Sequence, residues 1–372
     1  MSLHVTTALV LSFLGELAVD LSVLPTDVFL MNVVNENEHY VSRVLLERFK
    51  LPGKALQCFD VKTATWKPRS VARACAAGGY NQLLQGPHAD HTLEEALSKI
   101  ESRLPKTFKA LERAAEGGPM ELPEKVYDNL CWYCAFLKLC SLPSKASAVV
   151  NFVYQLNFEL QSGHHSLLRE LEIPEEVINS WKAACAAGYR VIVDSQNVLQ
   201  LIYRNQFLRV YAGEFGMFRD TQWAVSKSPI ELPVSDVGLV PLYLQTENAN
   251  HYILPIGPLL LLEGIFFLDL TKNAPRRPLK RLTLNEDDAH YIRDAVCASA
   301  VVEIICSRRI SEVPACLARA STRRIRFHTI VNPRVVQIAG LEPVATELRF
   351  RVVPLDEYVA FVHSFVKPPA DP

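Results

Sequence analysis

The stretch Asn35–Phe49, NENEHYVSRVLLERF, joins a polar entry, a His-Tyr pair and an apolar run within fifteen residues. Val41, Val44, Leu45 and Phe49 recur at helical spacing, which predicts a short amphipathic helix over residues 40–49. Leu51-Pro52-Gly53 ends it, because proline removes a backbone donor and glycine permits a reversal. His39 falls just before or within the first turn, with Arg43 four residues on and Arg48 nearer the end. A neutral imidazole both donates and accepts, and its ordinary pKa lies close to physiological pH. His39 therefore has two readings: a general base or ligand, or a histidine that caps the helix and bonds backbone.

Beyond that helix the pattern alternates. Residues 54–71 read as a two-stranded hairpin turning at Lys62-Thr63, and residues 72–86 as a tight, glycine-bearing connection through Tyr80. Thr92 and Glu95 have capping-box spacing and open a helix whose face is Leu93, Leu97, Ile100 and Leu104, with Glu101 beside it. Gly117-Gly118-Pro119 breaks the chain, Pro123 starts the next helix, and Pro143 is expected to stop it. Two more helices are predicted over residues 146–160 and 175–187, while residues 198–204 fit helix or strand equally. From Phe207 the period becomes that of strands: residues 208–211, 223–225 and 252–267, with turns at Gly213, Gly216, Pro229, Gly257 and Gly264. Residues 285–308 return to helix, acidic at the start and ending on Arg308-Arg309, as the helix dipole prefers. Late strands over 325–338 and 347–353, a terminal helix over 356–365 and a frayed tail over 367–372 complete the pass.

With 372 residues, 49% apolar and 21% charged, the chain has an ordinary globular composition and enough length for one large core or two modest ones. A net charge of −1 gives no overall attraction to nucleic acid or to an anionic membrane. Nine cysteines form no framework spacing, which points to reduced, buried thiols and a cytoplasmic protein rather than a secreted disulfide scaffold. Residues 1–30 are apolar, but Glu16 and Asp20 interrupt them and no basic residue precedes them, so neither a signal peptide nor a membrane span fits. Val10, Phe13, Leu14, Leu17 and Leu21 instead predict an added packing helix, unless the native chain starts at Met31.

The sequence carries no Walker loop, nucleophile elbow, zincin helix or dinucleotide fingerprint, so no cofactor is expected. Cys131 and Cys134 make a CxxC pair without the second ligand pair that zinc requires, inside an aromatic-rich helix, and read as core. His164-His165 has only Glu170 and Glu172 nearby, too little for a metal. Between Lys272 and Arg334, thirteen Lys or Arg face six Asp or Glu, an excess of seven. Arg276, Arg277, Lys280, Arg281, Arg323, Arg324 and Arg326 are its dense parts, suited to nucleic-acid phosphate or simply to a solvated surface.

Glu38-His39-Tyr40-Val41-Ser42 resembles the His-His-Tyr-Val-Pro phrase that opens the DUF4238 family, whose members have no established activity, and Leu45-Leu46-Glu47-Arg48-Phe49 resembles its continuation. Later pieces follow in the family's order: the hairpin at residues 55–69, the Ile-Glu helix at 97–101, the Ser-Asp-Asn-Pro turn at 223–230 and the strand pair at 252–262. The resemblance spans roughly residues 31–309. Glu38, Ser42 and Lys227 depart from the family pattern, as does Pro255-Ile256-Gly257-Pro258. The resemblance implies a constellation of His39, Arg43 and Glu101 as catalytic candidates, with Tyr40, Ser226, Ser228, Asn250 and His251 as ligand contacts.

The expected architecture is α+β, a helical N-terminal half (31–206) packed on a mostly antiparallel C-terminal sheet (207–366), forming one domain after the 1–30 extension and before the tail. Two functions are consistent with it. One is a non-catalytic binding or interaction protein for a protein or small-molecule partner, without a membrane. The other is a hydrolase, a nuclease being one form of it, with His39 and Glu101 as acid-base groups.

Overall fold

The computed structural model describes residues 37–39, 41–78, 92–163, 166–170, 173–193, 211, 213–244, 248–269, 271, 278–322 and 350–366. The fold is α+β. Strand β1 (Asn37–His39) runs into helix α1 (Arg43–Glu47), shorter than its apolar pattern, with Val41, Leu45, Leu46 and Phe49 all fully buried. Gly53, at φ +70, takes the left-handed turn after Pro52 that a side chain would resist. The expected hairpin follows as β2 (Leu56–Asp60) and β3 (Thr65–Arg69), and β4 (Ala76–Gly78) returns to pair with β1.

Helices α2 (Thr92–Glu101), α3 (Leu104–Ala115) and α4 (Glu124–Cys140) supply most of the helical side of the main core. Pro143 does not end α4. Ser141 does: it leaves helical geometry and caps the following helix, α5 (Leu142–Ser162), whose first turn holds Pro143 where no amide donor is needed. After α5 come α6 (Ser166–Glu170), α7 (Glu175–Ala186) and β5 (Arg190–Val193). These pack with the late strand and helix, introduced below, into a core of their own around Phe152, Leu156, Leu168, Trp181 and Val191.

Two buried polar side chains hold that second core in register. The Asn157 side chain accepts from the Val191 amide at 2.8 Å and donates to the Val191 carbonyl at 2.8 Å, standing in for a neighbouring strand. The buried Glu159 carboxylate accepts from the Leu167 amide at 2.9 Å and the Leu168 amide at 3.4 Å, satisfying orphan donors of α6. We expect Glu159→Ala to cost about 1–3 kcal/mol, because buried amides lose their acceptor. Urea unfolding should show a lower midpoint with an unchanged slope; an unaltered midpoint would refute the anchor.

Residues 213–220 are helical, against the expectation of a strand through Tyr211 and turns at Gly213 and Gly216. The reason is tertiary. Phe215 and Phe218, three apart, both bury on the main core, and Phe215 stacks on Trp132 with centroids 3.8 Å apart. That burial outweighs the helix penalty of two glycines. The chain then builds β6 (Gln222–Lys227), β7 (Val234–Ser235), β8 (Val240–Leu244), β9 (Ala249–Gly257), β10 (Leu260–Phe267) and β11 (Lys280–Thr283). Gly264 makes no turn. It lies inside β10 opposite Trp223, and a Cβ there would sit 2.6 Å from the indole.

Helix α8 (Glu286–Ser299) is capped by Asn285, whose side chain accepts from the Asp288 amide at 2.7 Å. It ends nine residues before the expected Arg308, and β12 (Glu303–Cys306) follows. The buried Asp236 carboxylate takes the amides of Val301 at 2.9 Å, Val302 at 2.5 Å and Glu303 at 3.3 Å, so they cannot continue a helix. The run Val301, Val302, Ile304 and Ile305 also favours a strand. Helix α9 (Val313–Thr322), strand β13 (Phe350–Val353) and helix α10 (Leu355–Val366) complete the described chain.

The central sheet has the order β11-β6-β10-β9-β8, antiparallel except for β11 beside β6. One face, with Trp223, Val225, Tyr252, Leu254 and Leu262, covers the main core; the other, with Ile253 and Leu261, packs on Ile292, Ala295 and Val296 of α8. A second sheet, β3-β2-β12-β7, joins the early hairpin to a strand some 240 residues later. β13 pairs with β5. The early and late segments are thus interleaved within the α+β architecture. The expected helix within residues 1–30, the 198–204 segment, the 325–338 strand and the 367–372 tail lie outside the described residues.

Candidate functional site

β1 delivers His39 into the interior, 4% exposed, and Ser42 then caps α1 by accepting from the Val44 amide at 3.2 Å. Two partners among the described residues meet the imidazole. Arg43 Nε lies 3.1 Å from His39 Nδ1 and only donates, so Nδ1 accepts. Val71 O lies 3.1 Å from Nε2 and only accepts, so Nε2 carries the hydrogen. With these contacts Nδ1 of His39 orients the exposed Arg43 side chain.

Arg48, just past the end of α1, makes the helix's long-range contacts. Its Nε donates to the Ile256 carbonyl at the end of β9, and its Nη2 lies 2.6 Å from Glu112 of α3. Its guanidinium also stacks over the Phe108 ring at 4.9 Å. The first helix is thus tied to the sheet through an arginine, whereas His39 is tied to the turn after β3.

Glu101, at the end of α2, comes close enough to Tyr133 of α4 to affect its phenol. Tyr133 is fully buried beside Ser42 and Glu101, and burial, reinforced by the Glu101 charge, pushes its phenol well above the ordinary range. Its hydroxyl makes no hydrogen bond of normal geometry. A buried hydroxyl in that condition is costly unless a further group meets it. Tyr133 thus lies beside Ser42 and Glu101, while His39 contacts Val71 and Arg43; Tyr133 was hidden from sequence reasoning inside the aromatic stripe of α4.

The remaining expected contacts do not join this group. Ser226 and His251 lie on the face of the central sheet that packs on α8, where both bond Glu263, a residue the sequence reading passed over. Ser226 Oγ donates to Glu263 Oε1 at 3.1 Å, and His251 Nε2 lies 3.2 Å from Oε2. The carboxylate stands in the middle. A nucleophile relay needs the imidazole there, between hydroxyl and carboxylate. Alternation along β10 was the missed signal, since Glu263 breaks an otherwise apolar inward pattern. Ser228 is used locally: it donates to the Ile230 carbonyl at 2.6 Å and shapes the turn after β6. Asn250 approaches Tyr252 on the opposite face. The family-derived constellation is therefore divided by the sheet.

Other sequence signals resolve individually. Cys131 and Cys134 are fully buried and their thiols are pushed up by burial, as core packing requires. Among the described residues no three His, Cys, Asp or Glu side chains converge on a metal-sized position. Nor is any described helix long and apolar enough to cross a membrane. Arg281 of the basic stretch closes the end of α3, its Nε 2.7 Å from the Ala114 carbonyl and its Nη2 3.1 Å from that of Gly118. Lys280 reaches Gln222 at 3.4 Å. Tyr40, His164, His165, Arg276, Arg277, Arg323, Arg324 and Arg326 lie outside the described residues.

No curated protein and no solved structure matches the chain. One family profile does, over residues 37–325, from the strand that carries His39 to just past α9. That span is most of the sequence, and it places the chain in the family described as protein of unknown function, DUF4238.

Proposed function

We propose that this chain is a binding protein that receives an anionic group at Arg43. The observation that carries the reading is the double engagement of His39: with Nε2 turned to Val71 and Nδ1 accepting from Arg43, the imidazole acts as an orienting group for a guanidinium. Guanidinium is the side chain best suited to carboxylate and phosphate, through its planar fork of donors. Nine buried cysteines without disulfides support a reducing, cytoplasmic setting.

The test uses inorganic phosphate, with acetate as a second probe, at constant ionic strength. Thermal unfolding of the native chain should shift upward as phosphate rises. A ligand at tenfold its dissociation constant stabilises by about 1.4 kcal/mol. Arg43→Ala should abolish the shift, and Arg43→Lys should weaken it because an ammonium lacks the fork. An equal shift in Arg43→Ala would remove the proposal. Phosphodiester cleavage by the wild type that disappears in His39→Asn would replace it with the acid-base reading built on His39 and Glu101.

A further inference from the structure

Helices α8 and α9 bring two thiols together in a small core that also contains Cys306, Ile304 and Val313. Cys297 of α8 and Cys316 of α9 lie in that core with their thiols in hydrogen-bonding contact. Arg319, one turn beyond Cys316, places Nη2 3.3 Å from that same sulfur. Asp294 of α8 holds that guanidinium, at 3.0 Å from Nε and 2.7 Å from Nη2, and its carboxylate also meets the Cys316 thiol. Although both sulfurs are buried, the arginine that touches Cys316 is itself 47% exposed, so the group covering the sulfur is a solvated side chain.

We propose that Cys316 and Cys297 are an oxidisable dithiol, with Cys316 the thiol that reacts with a small peroxide and Cys297 the one that resolves it. The environment is that of a reactive cysteine, with a second thiol and a guanidinium both against one sulfur. Consistently, the thiols of Cys58, Cys75, Cys131, Cys134, Cys185 and Cys306 are pushed up by burial, whereas that of Cys316 is drawn down, chiefly by the Cys297 hydrogen bond, against burial and the Asp294 carboxylate. In the first step the Cys316 thiolate attacks one oxygen of hydrogen peroxide. An S–O bond forms, the O–O bond breaks, and hydroxide leaves and takes up a proton to become water. In the second, the Cys297 sulfur attacks the Cys316 sulfenic acid, losing its proton. An S–S bond forms, the S–O bond breaks and a second water leaves. Two thiols are oxidised and one peroxide is reduced. The product ties α8, which backs the central sheet, to α9.

The experiment treats the native full chain with hydrogen peroxide, blocks remaining thiols under denaturing conditions and maps the peptides by mass. A Cys297–Cys316 disulfide is expected. In Cys297→Ser, a cyclic 1,3-diketone should trap a sulfenic acid on Cys316, and that readout does not depend on any substitution at Cys316. Cys316→Ser should leave Cys297 reduced. With iodoacetamide and no peroxide, Cys316 of the native chain should alkylate about tenfold faster than the other cysteines. Oxidation spread evenly over the nine cysteines overturns the proposal, as does a folded chain in which both thiols survive peroxide.

Discussion

Asp236→Ala should destabilise the chain by about 3–5 kcal/mol near pH 5, the largest single loss we expect. The carboxylate is fully buried and collects the amides of Val301, Val302 and Glu303, and alanine would leave these donors without an acceptor. The damage would spread, because Glu303 is the next link. Its carboxylate accepts the Cys75 amide at 2.5 Å and meets Arg69 at 3.3 Å, binding β12 to the turn after the early hairpin. The pH dependence distinguishes this anchor from generic packing. Burial, aided by the Glu303 charge, pushes the Asp236 carboxyl up to about 7 despite its amide donors, against 3.8 when unperturbed. The folded chain therefore holds this proton more tightly than the unfolded chain does. The associated stability is fully present below pH 3.8 and is lost as pH rises through about 7, a change of about 4 kcal/mol across that window. The wild-type carboxyl thus helps most when protonated, and the penalty of Asp236→Ala should shrink as pH rises past 7. Urea midpoints at several pH values check this. A penalty constant from pH 5 to pH 8 would mean that the carboxyl does not titrate as its surroundings require.

Gly264→Val should cost about 3 kcal/mol, at the upper end of overpacking penalties. A Cβ at that position would lie 2.6 Å from Cζ3 and 2.8 Å from Cε3 of Trp223, and 2.7 Å from Cγ2 of Thr221. The indole has little room to yield. It is 1% exposed, its Nε1 donates to the Phe218 carbonyl at 2.9 Å, and its ring stacks against Phe218. Glycine and tryptophan face each other across β10 and β6, so one side chain occupies the space of two. Trp223→Leu alone should cost about 3 kcal/mol by opening a cavity. Combined with Gly264→Val, the loss should fall short of the sum by more than about 1 kcal/mol, since each change relieves the other. Strict additivity in denaturant unfolding would show that the ring and the glycine do not share that space.

The organising helix was legible because its signal is local. Val41, Leu45, Leu46 and Phe49 need only one apolar stripe to bury, and all four are fully buried. The hairpin at β2–β3 and the helix after Pro123 were legible for the same reason. His39 could be singled out as a polar group at an apolar helix, and so could its proximity to Arg43, four residues away. Its anchoring could not, because the Val71 carbonyl that meets its Nε2 lies 32 residues on. Tyr133 and Glu263 went unremarked because each sits in an apolar run, where a polar atom declares itself only through its neighbours.

The sequence by itself determined the α+β class, several helix starts, the family and the buried, disulfide-free state of its cysteines, since composition, periodicity and capping act over a few residues. Only the tertiary structure decided where β12 begins, why residues 213–220 coil instead of extending, and on which side of the central sheet each polar group lies. Those outcomes turn on partners far along the chain: Asp236 for the Val301–Glu303 amides, Trp132 for Phe215, Glu263 for Ser226 and His251. A buried amide or hydroxyl follows the partner that satisfies it, and that partner is chosen by the packing of the whole chain.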